Sequence, residues 1–192
     1  ARTDYALLAA DAHIYRPLTT YLPLPPPESR GSSWSWLASF FGSAPRVRTP
    51  HGPRVAIHRS GPRTVGECWG FGGTSANLTV KLSQPITESH VTIDHLSRDV
   101  AYNIESAPRE FQIWAVNVTH SDPSHSPRTL LGTFEYNVDG EPVQTFALPN
   151  KAIPAQYVTL QILSNHGHYY TCLYRFRVHG TPLKGAEPLI IN

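Results

Sequence analysis

Residues Tyr170–His179 alternate between two sets of side chains for ten positions, and this constrains the fold more than any other stretch of the chain. In an extended chain, successive side chains point to opposite faces, so a period of two is typical of a half-buried β-strand. We therefore predict one core strand over 170–179. Its predicted inward set is Tyr170, Cys172, Tyr174, Phe176 and Val178.

Six earlier segments are also rich in β-forming residues, and no helical periodicity separates them. These segments are 78–82, 91–95, 111–118, 129–136, 143–148 and 157–163. We expect Pro85 to end the first of them, and the turn at 137–140 to join 129–136 and 143–148 as a hairpin. The pattern predicts an all-β fold, a compact antiparallel β-sandwich of jelly-roll-like build.

The N-terminal third differs in composition from this β-rich part. Residues 4–12 predict a short helix capped by Asp4, and nine of the 18 prolines fall within Arg16–Pro62. An apolar island in this stretch either packs on the domain's own core or forms a protruding flap over a partner. The island consists of Trp34, Trp36, Leu37, Phe40 and Phe41.

We treat the chain as a single domain with four segments. Residues 1–17 are the N-terminal helical segment, 18–63 the Pro-rich segment, 64–182 the sandwich and 183–192 a tail. Residues 1–63 hold eight arginines and three acids, but the arginines are scattered among Pro and Ser, so nucleic-acid binding is not predicted. No run of 18 apolar residues is present, so any membrane anchor is expected in a segment absent from this sequence.

Cys68 and Cys172 are the two cysteines of the chain. They are either buried free thiols or a bridge closing a loop of about 100 residues, which stabilises by roughly 4–5 kcal/mol in the entropic model. No cysteine–histidine spacing typical of zinc is present. Asn77 and Asn117 begin N-glycosylation acceptor patterns, which fit a lumenal location.

Motifs for catalysis are absent from the sequence. The glycine-rich run at 70–73 is not followed by the residues of a phosphate loop, and neither a nucleophile elbow nor a zinc-protease motif occurs. Asp94 and His95 are neighbours in a predicted strand, so they point to opposite faces. We interpret the chain as a binding domain rather than an enzyme. One alternative is a jelly-roll module that stacks Trp34, Trp36 and Tyr169 on sugar rings.

Several sequence segments, in the same order along the chain, resemble those of the SUN domain (the Sad1/UNC-84 family). They include CWGF at 68–71, VTIDH at 91–95, SAPREFQIWAV at 106–116, LLGTFEYNVDGEPVQTFALP at 130–149 and YTCLYRFRVHGTP at 170–182. The resemblance implies a β-sandwich that binds the C-terminal peptide of KASH proteins in the perinuclear space. Such a LINC complex couples nucleoskeleton to cytoskeleton, and the resemblance places the chain in an inner nuclear membrane protein. The less-studied relatives of the endoplasmic reticulum remain an alternative.

The resemblance also assigns residues. It pairs Cys68 with Cys172 in a disulfide and places the lid that covers the KASH peptide at about 33–50, where the apolar island lies. The pocket for the peptide's terminal carboxylate is expected to use His95, Ser106, Tyr170 and Tyr174. Hydroxyl and imidazole hydrogens suit this role because they donate to an anion.

Three departures from the family pattern qualify these expectations. Residues 13–33 lack the cysteine that bonds covalently to the peptide in animal relatives, so a noncovalent complex is expected. The loop His58–Cys68 corresponds to the one that holds a monovalent cation such as potassium in relatives. Arg59 and Arg63 argue against a cation here, and any cation would have to be held by backbone carbonyls. The resemblance implies a homotrimer for the full-length protein, assembled through a coiled coil. No heptad precedes Asp4 in this sequence, so a monomer is expected to be possible for this fragment.

Overall fold

The computed structural model describes residues 2–24, 51–58, 65–116, 122–149 and 154–183. Within these ranges the chain forms nine strands: β1 (His13–Ile14), β2 (Trp69–Gly72), β3 (Ala76–Asp94), β4 (Glu110–Val116), β5 (Arg128–Glu135), β6 (Val143–Ala147), β7 (Ala155–Ile162), β8 (Tyr170–Leu173) and β9 (Arg175–Pro182). The helical elements of the same ranges are five 3-10 turns: Leu8–Ala10, Arg16–Leu18, Pro53–Ile57, Ile104–Ser106 and Pro123–His125. No helix in the described ranges has the length and apolar character needed to span a bilayer.

The long strand β3 organises the antiparallel β-sandwich because it belongs to both layers. Its first part, 76–81, pairs with β1 and β7, and the layer continues through β4 to β5. Its second part, 86–94, pairs with β9 on one side and β6 on the other. Strands β2 and β8 form a separate two-stranded sheet. The all-β, antiparallel sandwich predicted from the sequence is confirmed.

The two layers share one apolar core, and three phenylalanine rings show how they meet. Phe111 of β4 is fully buried, and its ring centroid lies 5.1 Å from that of Phe146 in β6 and 5.6 Å from that of Phe134 in β5. Because β6 belongs to the other layer, these rings join the two halves across the core. Aromatic pairs at such distances add stabilisation beyond the area they bury.

Pro85 does not end the first predicted strand, because β3 continues through it. The pairing with β7 shifts register between Lys81 and Ile86, and Pro85 falls inside this irregularity. Its missing N–H therefore costs no ladder bond there. The Pro85 carbonyl accepts a hydrogen bond from Leu183 N at 3.3 Å. The predicted break is in fact the point where β3 passes from one layer to the other.

The predicted hairpin between 129–136 and 143–148 is wrong. The turn forms, with Gly140 N donating to Asn137 O at 3.1 Å. Strand β5 nevertheless pairs with β4, whereas β6 pairs with the second part of β3. With β6 in the opposite layer, the half-buried ring of Phe146 packs on Phe111 across the core, and this tertiary contact overrides the local turn signal.

The N-terminal helix predicted over 4–12 is also wrong, since only Leu8–Ala10 forms a 3-10 turn. Asp4 accepts a hydrogen bond from Ala6 N at 3.0 Å, as a cap would, but it also accepts from Arg175 in β9 at 2.8 Å. Tyr5 N donates to Val178 O at 2.9 Å, and Tyr5 O accepts from Ser83 N at 3.0 Å. The backbone of this segment pairs with neighbouring strands, so it cannot supply helical hydrogen bonds.

The strand predicted over 170–179 is two strands that belong to different sheets. Tyr174 separates β8, which pairs with β2, from β9, which pairs with β3. Leu173, Phe176 and Val178 contribute to the main core, whereas Cys172 and Tyr174 are buried in a second, smaller cluster. The predicted inward set is therefore divided at Tyr174. Its members up to Tyr174 belong to the smaller cluster, and Phe176 and Val178 belong to the main core.

Candidate functional site

A disulfide lies at the centre of the second cluster. Cys68, directly before β2, is bonded to Cys172 in β8, and their Cα atoms are 5.6 Å apart. Both half-cystines are buried against Leu96 and Tyr174, and the half-buried residues that pack on them include Tyr170. We call this set of five residues the disulfide cluster. The disulfide implied by the resemblance is confirmed.

Tyr174 is the buried phenol of the disulfide cluster, at 6% exposure. Its hydroxyl oxygen accepts a hydrogen bond from Gly66 N at 3.1 Å. Burial raises the pKa of this phenol above its ordinary value, the Gly66 bond acts in the opposite direction, and Tyr170 adds a smaller increase. The hydroxyl is therefore neutral at physiological pH and retains a hydrogen that it can donate.

Tyr170 is the half-exposed phenol of the disulfide cluster. Its hydroxyl oxygen accepts from Asn103 Nδ2 at 3.2 Å. The backbone carbonyl of Asn103 in turn accepts from the Ser106 hydroxyl at 2.7 Å. Ser106, at 3% exposure, thus lies behind Asn103 and orients it rather than facing Tyr170 directly.

The turn before β8 fixes where Tyr170 starts. Asn165 Nδ2 donates to the carbonyl oxygens of His168 and Tyr170, at 2.8 and 3.0 Å, and Gly167 N donates to Asn165 Oδ1 at 2.9 Å. Gly167 has a φ of 109°, a conformation that favours glycine. The His168 ring lies 4.3 Å from the Tyr170 ring, and burial lowers the pKa of His168.

His95, one residue beyond the end of β3, is 1% exposed and stands behind Tyr174. The two ring centroids are 4.8 Å apart in an edge-to-face arrangement. His95 Nδ1 lies 3.2 Å from Leu96 O. The four residues expected to form the pocket are therefore neighbours, with Tyr170 half-exposed and Tyr174, His95 and Ser106 buried.

This arrangement places two phenol hydroxyls where they can donate hydrogen bonds to an anion. Two phenol oxygens each accept one hydrogen bond from the protein and keep their own hydrogens, which can be donated to a carboxylate. In the part of the chain that the structure describes, no group of three His, Cys, Asp or Glu side chains could hold a metal ion. The surroundings are apolar and sulfur-rich, which strengthens hydrogen bonds to a charged partner.

Several predicted sites lie outside the described residues. These are the lid residues Trp34, Trp36, Leu37, Phe40 and Phe41, the sequon residue Asn117, and positions 59–64 of the cation loop. Asn77 is described and is half-buried near the start of β3, where it pairs with Gln161 of β7. The lid, the cation site and the use of both sequons stay predictions.

Sequence reasoning missed three contributors to the site: Asn103, Leu96 and Gly66. Leu96 follows His95 directly in the chain, so its position near the site could have been predicted once His95 was assigned to the pocket. Gly66 has a φ of 88°, and its N–H reaches Tyr174 across 108 positions of the chain. Asn103 reaches Tyr170 across 67 positions. No local pattern predicts such contacts.

The family model described as "Sad1 / UNC-like C-terminal" matches residues 47–182. The chain belongs to the Sad1/UNC-like family. The matched range contains the disulfide cluster and all four expected pocket residues, so the geometry described above is that of a SUN domain.

Relatives of this SUN domain carry the same family name. The chain is 41% identical over 136 residues to SUN domain-containing protein 2 of Mus musculus, covering 65% of this chain and 18% of that protein. It is 45% identical over 122 residues to SUN domain-containing protein 3 of Bos taurus, covering 61% and 32%. It is 38% identical over 134 residues to the nuclear migration and anchoring protein unc-84 of Caenorhabditis elegans, covering 68% and 12%. The matched region is thus a third or less of each of these relatives.

Solved structures with the same architecture are far more distant in sequence. The family 32 carbohydrate-binding module of Streptococcus pneumoniae EndoD superposes with a TM-score of 0.61 at 12% identity, covering 93% of this chain and 100% of that one. Allantoicase of Saccharomyces cerevisiae superposes with a TM-score of 0.57 at 12% identity, covering 93% and 43%. These likenesses establish the jelly-roll-like sandwich of the SUN domain and nothing about its ligand.

Proposed function

We propose that this SUN domain binds the C-terminal peptide of a KASH protein, with the peptide's free carboxylate at the disulfide cluster. One observation carries the proposal. The hydroxyls of Tyr170 and Tyr174 already accept hydrogen bonds from Asn103 and Gly66, and each neutral phenol also has a hydrogen that it can donate. A terminal carboxylate supplies two acceptor oxygens, and charge-assisted bonds of this kind are stronger than neutral ones.

The buried members of the site hold the donors in place. The His95 ring packs edge-to-face on Tyr174, and Ser106 restrains the carbonyl of Asn103. Preorganised donors bind more tightly because less side-chain entropy is lost on binding. In this proposal His95 and Ser106 support the phenols.

The loop after β3 provides an apolar rim for the peptide residues that precede the carboxylate. Val100 is 52% exposed and Tyr102 is 85% exposed, and both lie in the loop directly before Asn103. Exposed large apolar side chains beside a polar pocket are typical of a protein-binding surface. The proposed lid at 33–50 would cover the bound peptide from the other side.

The cellular role follows from the same proposal. The full-length protein is an inner nuclear membrane protein with this domain in the perinuclear space, and it couples nucleoskeleton to cytoskeleton without catalysis. It assembles as a homotrimer through a segment outside this sequence. Arg59 and Arg63 oppose a cation in the loop His58–Cys68, and a potassium ion there would have backbone carbonyls as its ligands. The names of the relatives, which include nuclear migration and anchoring, support this role.

Calorimetric titration with KASH C-terminal peptides tests the proposal. A peptide with its native free terminus should bind, and the same peptide extended by one residue should bind at least tenfold more weakly because the carboxylate is displaced from the phenols. Equal affinity of the two peptides would refute the carboxylate pocket. A peptide with a scrambled sequence but the same terminus serves as the control for nonspecific binding.

Glycan binding is a second candidate, favoured by one observation. Tyr169 is 53% exposed and its ring packs on His168 with centroids 4.5 Å apart, which leaves a face available for stacking on a sugar. A glycan array separates the two candidates. Specific glycan binding that is lost in Tyr169→Ala and retained in Tyr174→Phe would favour the second.

A further inference from the structure

A cleft of about 700 Å³ lies on the N-terminal side of the sandwich, between the first 3-10 turns and the turn Pro53–Ile57. Its volume falls within the usual range for ligand sites. The apolar part of its lining comes from Leu8, Ile14 and Pro53. The cleft shares no lining residue with the disulfide cluster, so its role is a separate question from KASH binding.

Two arginines give the cleft its charge. Arg16 and Arg54 both line it and are both exposed, and no acidic side chain from the described residues lines it. Among the described residues, neither guanidinium forms an ion pair or a hydrogen bond. Asp11, the acid that lies near this segment, is engaged by His13 Nε2 at 3.2 Å. The positive charge of the cleft is thus uncompensated within the described part of the chain.

The Arg16 side chain is held in position by an aromatic ring. Its guanidinium carbon lies 5.4 Å from the centroid of the Tyr21 ring, which also lines the cleft. Stacking on a ring leaves the in-plane N–H donors of a guanidinium available for a carboxylate. The stacking also occupies one face of the Tyr21 ring, which makes this ring a poor platform for a nucleic-acid base.

We propose that this cleft binds a short acidic segment of a partner protein in which acidic and apolar side chains alternate. Carboxylates pair with Arg16 and Arg54 through bidentate hydrogen bonds. The apolar side chains between them cover Leu8, Ile14 and Pro53. A small inorganic anion would leave this apolar lining in water, so a peptide accounts for more of the surface than a free anion does.

Gly52 offers a way to block the cleft without disturbing the fold. It lines the cleft, and a Cβ added there meets nothing within 4 Å. Its φ of −66° and ψ of 174° suit any residue, and it occupies the N-cap position of the turn Pro53–Ile57, where aspartate is favoured. Gly52→Asp therefore adds a carboxylate to the cleft and repels an acidic ligand while keeping both arginines.

Fluorescence anisotropy with a labelled Glu-Leu-Glu-Leu-Glu-Leu peptide tests the proposal at low and moderate salt. The wild-type chain should bind it saturably and more weakly as salt rises. The double variant Arg16→Glu/Arg54→Glu should lose about tenfold or more in affinity, and Gly52→Asp about fivefold. Arg128→Glu, at an exposed arginine of β5 beside Trp114, is the control for one such charge reversal outside the cleft and should change the affinity by less than about twofold.

Four outcomes would overturn the proposal. The peptide fails to bind the wild-type chain, or it binds the double variant and Gly52→Asp as well as the wild type. Arg128→Glu weakens binding as much as the double variant, which would mean general charge attraction. A Gln-Leu-Gln-Leu-Gln-Leu peptide or a thymine oligonucleotide binds as tightly as the acidic peptide. Circular dichroism of each variant establishes that a loss of binding is not a loss of fold.

Discussion

The sandwich core and the disulfide cluster bury side chains in different ways. The core joins two layers through apolar side chains such as Phe111, Leu160 and Phe176. The backbone N–H and C=O groups of these strands are paired in the sheet. The disulfide cluster is small and is held by a covalent bond, and its two phenol hydroxyls accept hydrogen bonds from Gly66 and Asn103. Stability is therefore expected mainly from the first region, and the proposed ligand recognition from the second. A substitution in the core should therefore lower the free energy of unfolding with little effect on peptide affinity, and a substitution of a phenol should do the reverse.

Removing a core ring should have the largest effect on stability. Phe111→Ala should lower the free energy of unfolding by about 3–5 kcal/mol, because it leaves a cavity beside Phe134 and Phe146. Urea unfolding measures this loss. Phe111→Leu is the conservative control, with an expected cost of about 1 kcal/mol. Where Phe111→Ala is still folded, its affinity for a KASH peptide should match that of the wild type; a large loss of affinity would break the separation between the two regions.

Removing the disulfide should affect both properties. The double variant Cys68→Ala/Cys172→Ala should lose roughly 3–4 kcal/mol of unfolding free energy. This is less than the entropic model gives for a bridge that spans 104 positions, because disulfides usually contribute less than that model predicts. It should also bind the KASH peptide more weakly than Phe111→Ala does, since Tyr170 and Tyr174 pack on the bridge. Unchanged affinity in the folded double variant would mean that the bridge does not position the phenols. Thiol titration of the unreduced, denatured wild type should find no free thiol.

Glu88 sharpens the comparison because it is a carboxyl group buried in the sandwich. It is 3% exposed, and neither carboxyl oxygen has a hydrogen-bond partner among the described residues. Burial raises its pKa to about 7, and the backbone N–H of Glu88 acts in the opposite direction. Between its ordinary value near 4.5 and about 7, the folded protein holds a proton that the unfolded chain has released. The free energy of unfolding should therefore fall as pH rises through this window, by about 3 kcal/mol in total.

Glu88→Gln tests this directly, because an amide does not titrate. The difference in unfolding free energy between the variant and the wild type should shift in favour of the variant as pH rises from 5 to 8, as measured by urea unfolding at each pH. Glu141→Gln, at an exposed carboxylate, is the control for the effect of replacing a carboxylate by an amide. A constant difference for Glu88→Gln would mean that Glu88 is not the group whose proton binding changes on folding.

The sequence predicted the type of element better than its partners. Alternation along 170–179 correctly placed Tyr170, Cys172 and Tyr174 in one cluster, because a period of two is a local property. It could not show that the chain changes sheets at Tyr174, since that depends on β2 and β3 pairing from distant positions. Pro85 was misread for the same reason: whether a proline ends a strand depends on whether its partner needs the missing N–H.

The candidate site divides in the same way. His95, Ser106 and the disulfide came from a family resemblance that spans most of the chain, and the structure brings them together with both phenols. Asn103 and Gly66 were not predicted, because each reaches its phenol by a single hydrogen bond across a long sequence separation. Backbone and amide donors of this kind leave no pattern in the sequence.

The most direct test of the central claim is a double-mutant cycle between Tyr174→Phe and amidation of the KASH peptide's C-terminus. Calorimetry gives four affinities, and their combination isolates the interaction between the phenol hydroxyl and the terminal carboxylate. We predict a coupling free energy of about 1–3 kcal/mol, because a charge-assisted hydrogen bond is lost once, whichever partner is changed. Additive effects, with a coupling near zero, would show that the Tyr174 hydroxyl does not bind the carboxylate and would contradict the account.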